Sequence, residues 1–285
     1  MQYHRPTNVS EVNELLKTFG NSAQILAGGT DILVEERYRS TYKKEYRIDI
    51  SGIPDLKQIH ESGDWIYVGP IVTHSEIIRS RLINEQAPLL LKACHVIGSL
   101  QIRNRGTIGG NICNASPCAD SIPALMALDT RLVIDSSAGE HILPISEFFL
   151  KPYQTILKPG QWLKEIRIKK MVYGENSSFI KLGRRNAVAI SRMNFAVIMK
   201  TTNKNIIEYL RFVPGSVFPV WRRVTEAEEY LKGNRISKEL FEKAGAIVSG
   251  IMIQNSGRRW STPYKEPVVT ALTARVLSQA AGLVE

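Results

Sequence analysis

Two paired-glycine runs constrain this chain more than any other feature. They read Ile-Leu-Ala-Gly-Gly-Thr-Asp at residues 25–31 and Thr-Ile-Gly-Gly-Asn-Ile-Cys-Asn at residues 107–114. In each, an apolar approach delivers the backbone to two residues without a β-carbon, flanked by hydroxyl or amide side chains. Such glycines permit backbone angles closed to other residues and let a ligand lie against bare N–H groups. Where a helix begins, aligned peptide dipoles and free N–H groups also favour an anion such as phosphate. The first run follows an apolar strand over 23–27, and Thr30 or Asp31 is placed to begin a helix. Neither run has the GxGxxG spacing of a dinucleotide fingerprint or the GK[ST] of a triphosphate loop. Alone, the first reads equally as a tight turn or as a phosphate cradle. Two such cradles point to a ligand with two phosphates, gripped from both sides. Asp120, six residues after Asn114, reads either as an acceptor for ribose hydroxyls or as the N-cap of the next helix.

Composition narrows the class. A chain of 285 residues exceeds one typical domain. No apolar run approaches the ~20 residues that cross a bilayer, and the N-terminus lacks the apolar core of a signal peptide. The expectation is a cytoplasmic protein without membrane contact. Cys94, Cys113 and Cys118 form no CxxC pair, so this chain alone holds neither an iron–sulfur cluster nor a structural zinc. The histidines show no metal-ligand spacing. A net charge of +10 can attract anions, but the basic residues are dispersed and no nucleic-acid recognition signature accompanies them.

The pattern predicts an α+β chain. Asn8-Val9-Ser10-Glu11 is a capping box opening a helix that Gly20 stops, and Thr73-His74-Ser75-Glu76 opens a second through Leu82. Helices follow over 88–97 and 122–128; Thr225-Glu226-Ala227-Glu228 caps another, and the last two run over 237–251 and 267–281. Strands are expected at 23–27, 46–51, 65–69, 131–135, 162–168, 179–182, 195–200 and 206–212. The domain boundary falls near 172–176: residues 1–172 form one domain, with lobes of about 1–55 and 56–172, and 176–285 form a sheet-plus-helices domain.

At this level of detail the motifs resemble a known family. Ala27-Gly28-Gly29-Thr30, with Gln101-Ile102-Arg103-Asn104-x-Gly106-Thr107-Ile108-Gly109-Gly110-Asn111-Ile112-Cys113-Asn114-Ala115-Ser116-Pro117-x-Ala119-Asp120, is similar to the FAD-binding subunit of molybdenum hydroxylases. These are the medium subunits of xanthine, carbon monoxide and nicotinate dehydrogenases. The resemblance includes the N-terminal Arg5-Pro6 with Glu11, Ala127-Leu128-Asp129, and Lys181-Leu182-Gly183-Arg184-Arg185.

The resemblance implies a two-lobed FAD-binding fold of the vanillyl-alcohol oxidase type, then a C-terminal domain. It implies a first pyrophosphate loop of Ile25, Leu26, Ala27, Gly28, Gly29, Thr30, Asp31 and Ile32. Thr107, Gly109, Gly110 and Asn111 would form the second loop, with Asn114 and Asp120 as further hydrogen-bonding partners. Leu163 and Ile97 would lie near the flavin, and Lys181 would approach its ring and stabilise negative charge on the reduced form. Without the resemblance, Leu163 reads as a core strand residue and Lys181 as a solvated one. No residue need act as acid, base or nucleophile. The implied role is electron transfer: substrate is hydroxylated at molybdopterin in a large partner subunit, electrons cross [2Fe–2S] clusters in a small one, and this FAD passes them on, to NAD or another acceptor. The pattern lies closest to the xanthine dehydrogenase, or purine, type. The acidic residues of xanthine dehydrogenase itself are absent around 184–189, so its route for NAD is not carried over, and Cys113 and Cys118 read as buried small apolar residues. The alternatives are a stand-alone flavin reductase or oxidase, and a flavin-free basic scaffold.

Overall fold

The computed structural model describes residues 1–38, 43–185 and 187–284; Asn186, in the segment without acidic residues, lies outside them. The first lobe is β1 (Gln2–His4), α1 (Val9–Phe19), β2 (Ala23–Leu26), α2 (Ile32–Tyr38) and β3 (Tyr46–Asp49). Its strands form a small parallel sheet in the order β1-β3-β2. Asn8 caps α1 by accepting from the Glu11 backbone, and α1 buries Val12 and Leu16 against Ile48, Ile50 and Trp162. A buried ion pair of Arg47 and Glu36 ties β3 to α2.

The second lobe begins with β4 (Ile59–Ser62) and β5 (Trp65–Val68) and continues through short helices. These are α3 (His74–Arg79), α4 (Arg81–Gln86), α5 (Pro88–His95), α6 (Leu100–Arg105), α7 (Ile108–Asn114) and α8 (Ser121–Ala127). Strands β6 (Arg131–Asp135), β7 (His141–Pro144), β8 (Phe149–Lys151), β9 (Gln154–Thr155) and β10 (Trp162–Lys169) complete it. The main sheet runs β4-β5-β10-β6-β7, all antiparallel. Strand β10 joins the lobes, because Trp162 packs in the first core and Leu163 in the second. Trp162 Nε1 donates to Asn13 Oδ1 (2.8 Å), and Asn13 Nδ2 donates to Asp135 Oδ2 (3.1 Å), pinning α1 across the seam.

The third unit is an antiparallel sheet of β11 (Glu175–Leu182), β12 (Met193–Thr201) and β13 (Ile207–Gly215), with α9 (Thr225–Leu231), α10 (Lys238–Ser256) and α11 (Thr262–Ala280). Successive side chains of a strand face opposite ways. On β12 Met193, Phe195, Val197 and Met199 enter the core of this unit, while Ala196 and Ile198 enter that of the second lobe. One central strand therefore seals the two units together.

Several elements depart from expectation. The helix opened by the Thr73 capping box stops at Arg79; Ser80 is extended (ψ 116°) and its hydroxyl accepts from Ile83 N to start α4. Thr225 does not cap α9; it is the first helical residue. Its partner Glu228 instead accepts from Phe212 N (2.8 Å) and from Arg223, so a tertiary contact has taken the capping carboxylate. Helix α11 begins at Thr262, with Pro263 presetting the first turn, and Pro267 lies inside it. The second glycine run is itself the first turn of α7.

Candidate functional site

The two glycine runs meet. A β-carbon on Gly28 would collide with the carbonyl of Arg105, so the first run packs directly on the segment leading into the second. Asn114 Nδ2 donates to Asp31 Oδ1 (3.1 Å), a second link across the lobes. Gly29 occupies the left-handed region (φ 75°), where a β-carbon is strained. Val72 O accepts from Ile108 N (2.9 Å), and Gly106 O from His74 N (3.0 Å), so the caps of α3 and α7 lie side by side.

Between the lobes lies a cavity of ≈ 550 Å³. The first run contributes Ile25, Ala27, Gly28, Gly29, Thr30, Asp31 and Ile32 to its wall; the second contributes Thr107, Gly109, Gly110, Asn111 and Asn114; Ile97 and Leu163 also lie on it. Leu163 sits where β10 bulges against β6, an irregularity that re-aims side chains.

The runs are chemically unequal. Among the described residues, the backbone N–H groups of Gly28, Gly29 and Thr30 donate to no protein acceptor. Those of the second run are already used: Gly109 N donates to Pro70 O (3.0 Å), Gly110 N to Thr107 Oγ1 (3.1 Å) and Asn111 N to Thr107 O (3.0 Å). The first run thus offers backbone donors to an anion, and the second offers the side chains of Thr107 and Asn111. Asn111 Oδ1 accepts from Ser121 Oγ (2.6 Å), which leaves the Asn111 amide NH₂ as a donor for the cavity. The second pair of glycines also divides. A β-carbon on Gly109 would stand 2.6 Å from Pro70 O, whereas on Gly110 it meets only Thr107 Oγ1.

Three expected residues lie off the cavity wall. Leu26 alternates away from Ile25 and Ala27 along β2. Asp120 occupies the N-cap position of α8, yet its side chain makes no capping bond. It accepts instead from Lys181 Nζ (2.7 Å), Ser191 Oγ (2.5 Å) and Asn194 Nδ2 (2.9 Å). Burial pushes its carboxyl above the ordinary value, against the pull of these donors. Lys181 is not a solvated strand lysine: its ammonium also donates to Val96 O (2.8 Å), beside the wall residue Ile97.

Sequence reasoning missed His74, Ile102, Tyr153 and the 157–161 segment, all on the wall. The Pro159-Gly160 turn before β10 was the available signal for the last. Burial, with Arg103 nearby, holds His74 down to about 4, so it enters the cavity neutral. Burial likewise raises the Asp31 carboxyl. Cys113 and Cys118 are half-buried rather than fully buried, and Cys113 lies on the wall; enclosure of its sulfur pushes the thiol up to about 12, which argues against a redox role. Among the described residues no group of side chains could hold a metal ion, and no helix is long and apolar enough to cross a membrane.

These residues fit a dinucleotide with a diphosphate at its middle: unpaired N–H donors on one side, amide and hydroxyl donors on the other, and a bare Gly110 between them. Residues 1–170 match the family described as the FAD binding domain in molybdopterin dehydrogenase, and residues 178–280 match the CO dehydrogenase flavoprotein C-terminal domain. The carbon monoxide dehydrogenase medium chain of Hydrogenophaga pseudoflava is 29% identical, covering 98% of this chain and 96% of that one. The nicotine 6-hydroxylase medium subunit of Paenarthrobacter nicotinovorans is 28% identical (98% and 97%), and the xanthine dehydrogenase FAD-binding subunit of Escherichia coli O157:H7 is 27% identical (98% and 95%). Identities so close do not single out the purine type. A solved structure of the Hydrogenophaga pseudoflava carbon monoxide dehydrogenase superposes with a TM-score of 0.91 over 98% of this chain and 96% of that one, at 29% identity. The chain therefore belongs to the FAD-binding subunits of the molybdenum hydroxylases, an oxidoreductase family.

Proposed function

We propose that this chain binds FAD extended through the interlobe cavity and serves as the electron-transfer subunit of a three-chain molybdenum hydroxylase. The observation that carries the reading is the row of N–H groups at Gly28–Thr30, unpaired among the described residues, lining one cavity with Gly110, which has no side chain. When bound, FAD would supply redox chemistry between [2Fe–2S] clusters on a small partner and NAD or another acceptor. The molybdopterin, and with it the substrate site, belongs to a large partner.

This chain's own residues bind and orient. Gly28, Gly29 and Thr30 hold one side of the diphosphate through backbone donors, Thr107 and Asn111 the other through side chains. Asp31 is occupied by Asn114, and that link fixes the spacing of the runs. Ile97 and Leu163 bound the flavin, with the Asp120–Lys181 pair behind Ile97 setting the local field. His74 is neutral at physiological pH and adds no charge. We place the domain boundary at 172–176, and we infer a cytoplasmic complex.

Purification of the chain from its own cells tests the reading. It should be yellow, release FAD on denaturation, and bring with it two further chains with molybdenum and iron. A colourless chain that takes up no added FAD overturns it, and a yellow chain that purifies alone overturns the three-chain assembly.

A further inference from the structure

Arg103 lies in the stretch that carries the family resemblance, yet its side chain is not part of the cavity wall. Gly98 and Ser99 join α5 to α6 just before it. Gly98 turns in the left-handed region (φ 46°), with Ile102 packed where a β-carbon would stand, and Ser99 caps α6 by accepting from Ile102 N (3.3 Å). Three consecutive carbonyls of this turn are held by two cations. Lys181 Nζ donates to Val96 O (2.8 Å), and Arg103 Nη1 donates to Ile97 O (2.9 Å) and to Gly98 O (3.2 Å). Ile97 and Ile102 are both wall residues, so Arg103 bonds the backbone of one and follows the other in the chain.

The two cations differ in what balances them. Lys181 is paired with Asp120 (2.7 Å), and that pair is neutral as a unit. Arg103 meets no carboxylate among the described residues; its hydrogen bonds go to neutral carbonyls, and its Nε is enclosed without an acceptor. Its charge is felt at the cavity, because together with burial it holds the imidazole of the wall residue His74 below the ordinary value. A partly buried charge of this kind is screened by salt much less than an exposed one.

We infer that Arg103 supplies the uncompensated positive charge at the flavin end of the cavity, acting as a positioning residue from behind Ile97 without touching the cofactor. The inference rests on the proposed placement of Ile97 beside the flavin. Reduction adds negative charge to a flavin, so a nearby cation favours the reduced form and raises the midpoint potential. Lys181 contributes less than its charge suggests, because Asp120 opposes it.

The test compares the FAD-loaded full chain as wild type, Arg103→Gln and Arg103→Lys. Glutamine keeps an amide donor for the turn and loses the charge; lysine keeps the charge and loses the planar guanidinium. The flavin midpoint potential is read for each, with FAD retention and thermal unfolding alongside. Arg103→Gln should lower the potential, whereas Arg103→Lys should keep the wild-type value even where it unfolds at a lower temperature. An unchanged potential in Arg103→Gln overturns the inference. So does an equal lowering in both variants, which would make the shape of the guanidinium responsible rather than its charge. If Arg103→Gln does not fold, Arg103→Lys decides alone, since a lowered potential there contradicts a charge effect. A wild-type chain that takes up no FAD overturns the reading beneath the inference, and the inference with it.

Discussion

Glycines that look alike in the sequence do different work in the structure. Gly28 is glycine because the Arg105 carbonyl occupies the space of its side chain, and Gly109 because Pro70 does. Gly110 faces the cavity, with only Thr107 Oγ1 near a β-carbon. Gly110→Val should therefore abolish FAD retention while the apo chain unfolds within a few degrees of wild type. Gly28→Ala should instead lower the stability of the apo chain by ~1–3 kcal/mol, the usual cost of overpacking. Flavin absorbance after gel filtration, with thermal unfolding of the apo forms, separates the two. The paired-glycine pattern showed that backbone would approach something closely; it could not show whether that something was ligand or protein. His74 makes a further prediction at this scale. Its folded pKa near 4 lies below the unfolded 6.5, so the unfolded chain takes up the proton first as pH falls. The stability it contributes is complete above pH 6.5 and is lost between 6.5 and 4, amounting to roughly 3 kcal/mol. Denaturant midpoints across that window should fall with pH in wild type and fall less steeply in His74→Gln.

At the scale of elements, short helices with local caps were legible. The Asn8 and Thr73 capping residues accept from Glu11 N and Glu76 N, as the spacing of three requires. The failures were of a different kind. Thr225 and Asp120 carry the same local signals, but Glu228 is claimed by Phe212 N and Arg223, and Asp120 by Lys181, Ser191 and Asn194. A tertiary donor with better geometry or charge outcompetes a local backbone N–H, and its approach is invisible in a window of a few residues. Helix α6 and strand β4 escaped notice because elements so short show little periodicity. The cap of α7 joins this scale to the site. Thr107 Oγ1 accepts from Gly110 N and also lies on the cavity wall. Thr107→Ala should cost ~1 kcal/mol of stability through the lost cap and should weaken FAD retention as well. Thr107→Ser should restore both, as read by urea unfolding and by titration of the apo chain with FAD.

Across the whole molecule, the cavity depends on two cores at once. The first-lobe core of Val12, Leu16, Ile48 and Trp162 backs one wall, and the second-lobe core behind Ile108, Ile112 and Leu163 backs the other. The third unit has its own core around Phe195, Phe212, Phe241 and Val248, and it joins the second lobe through Ala196 and Ile198 of β12, Val213 of β13 and Trp221, with the Asp120–Lys181 and Asp129–Arg211 pairs beside them. A ligand gripped between the first two lobes stabilises what holds it, by ~4 kcal/mol when free ligand exceeds the dissociation constant a thousandfold. Removal of FAD should therefore act unevenly. Amide hydrogen exchange should quicken in β2, α2 and α7, whose backbone lines or abuts the cavity, while β12, buried on both faces, keeps its protection. Equal deprotection of all three units would mean that FAD governs the global unfolding of one cooperative body, and the division into two gripping lobes and a separate third unit would have to be abandoned.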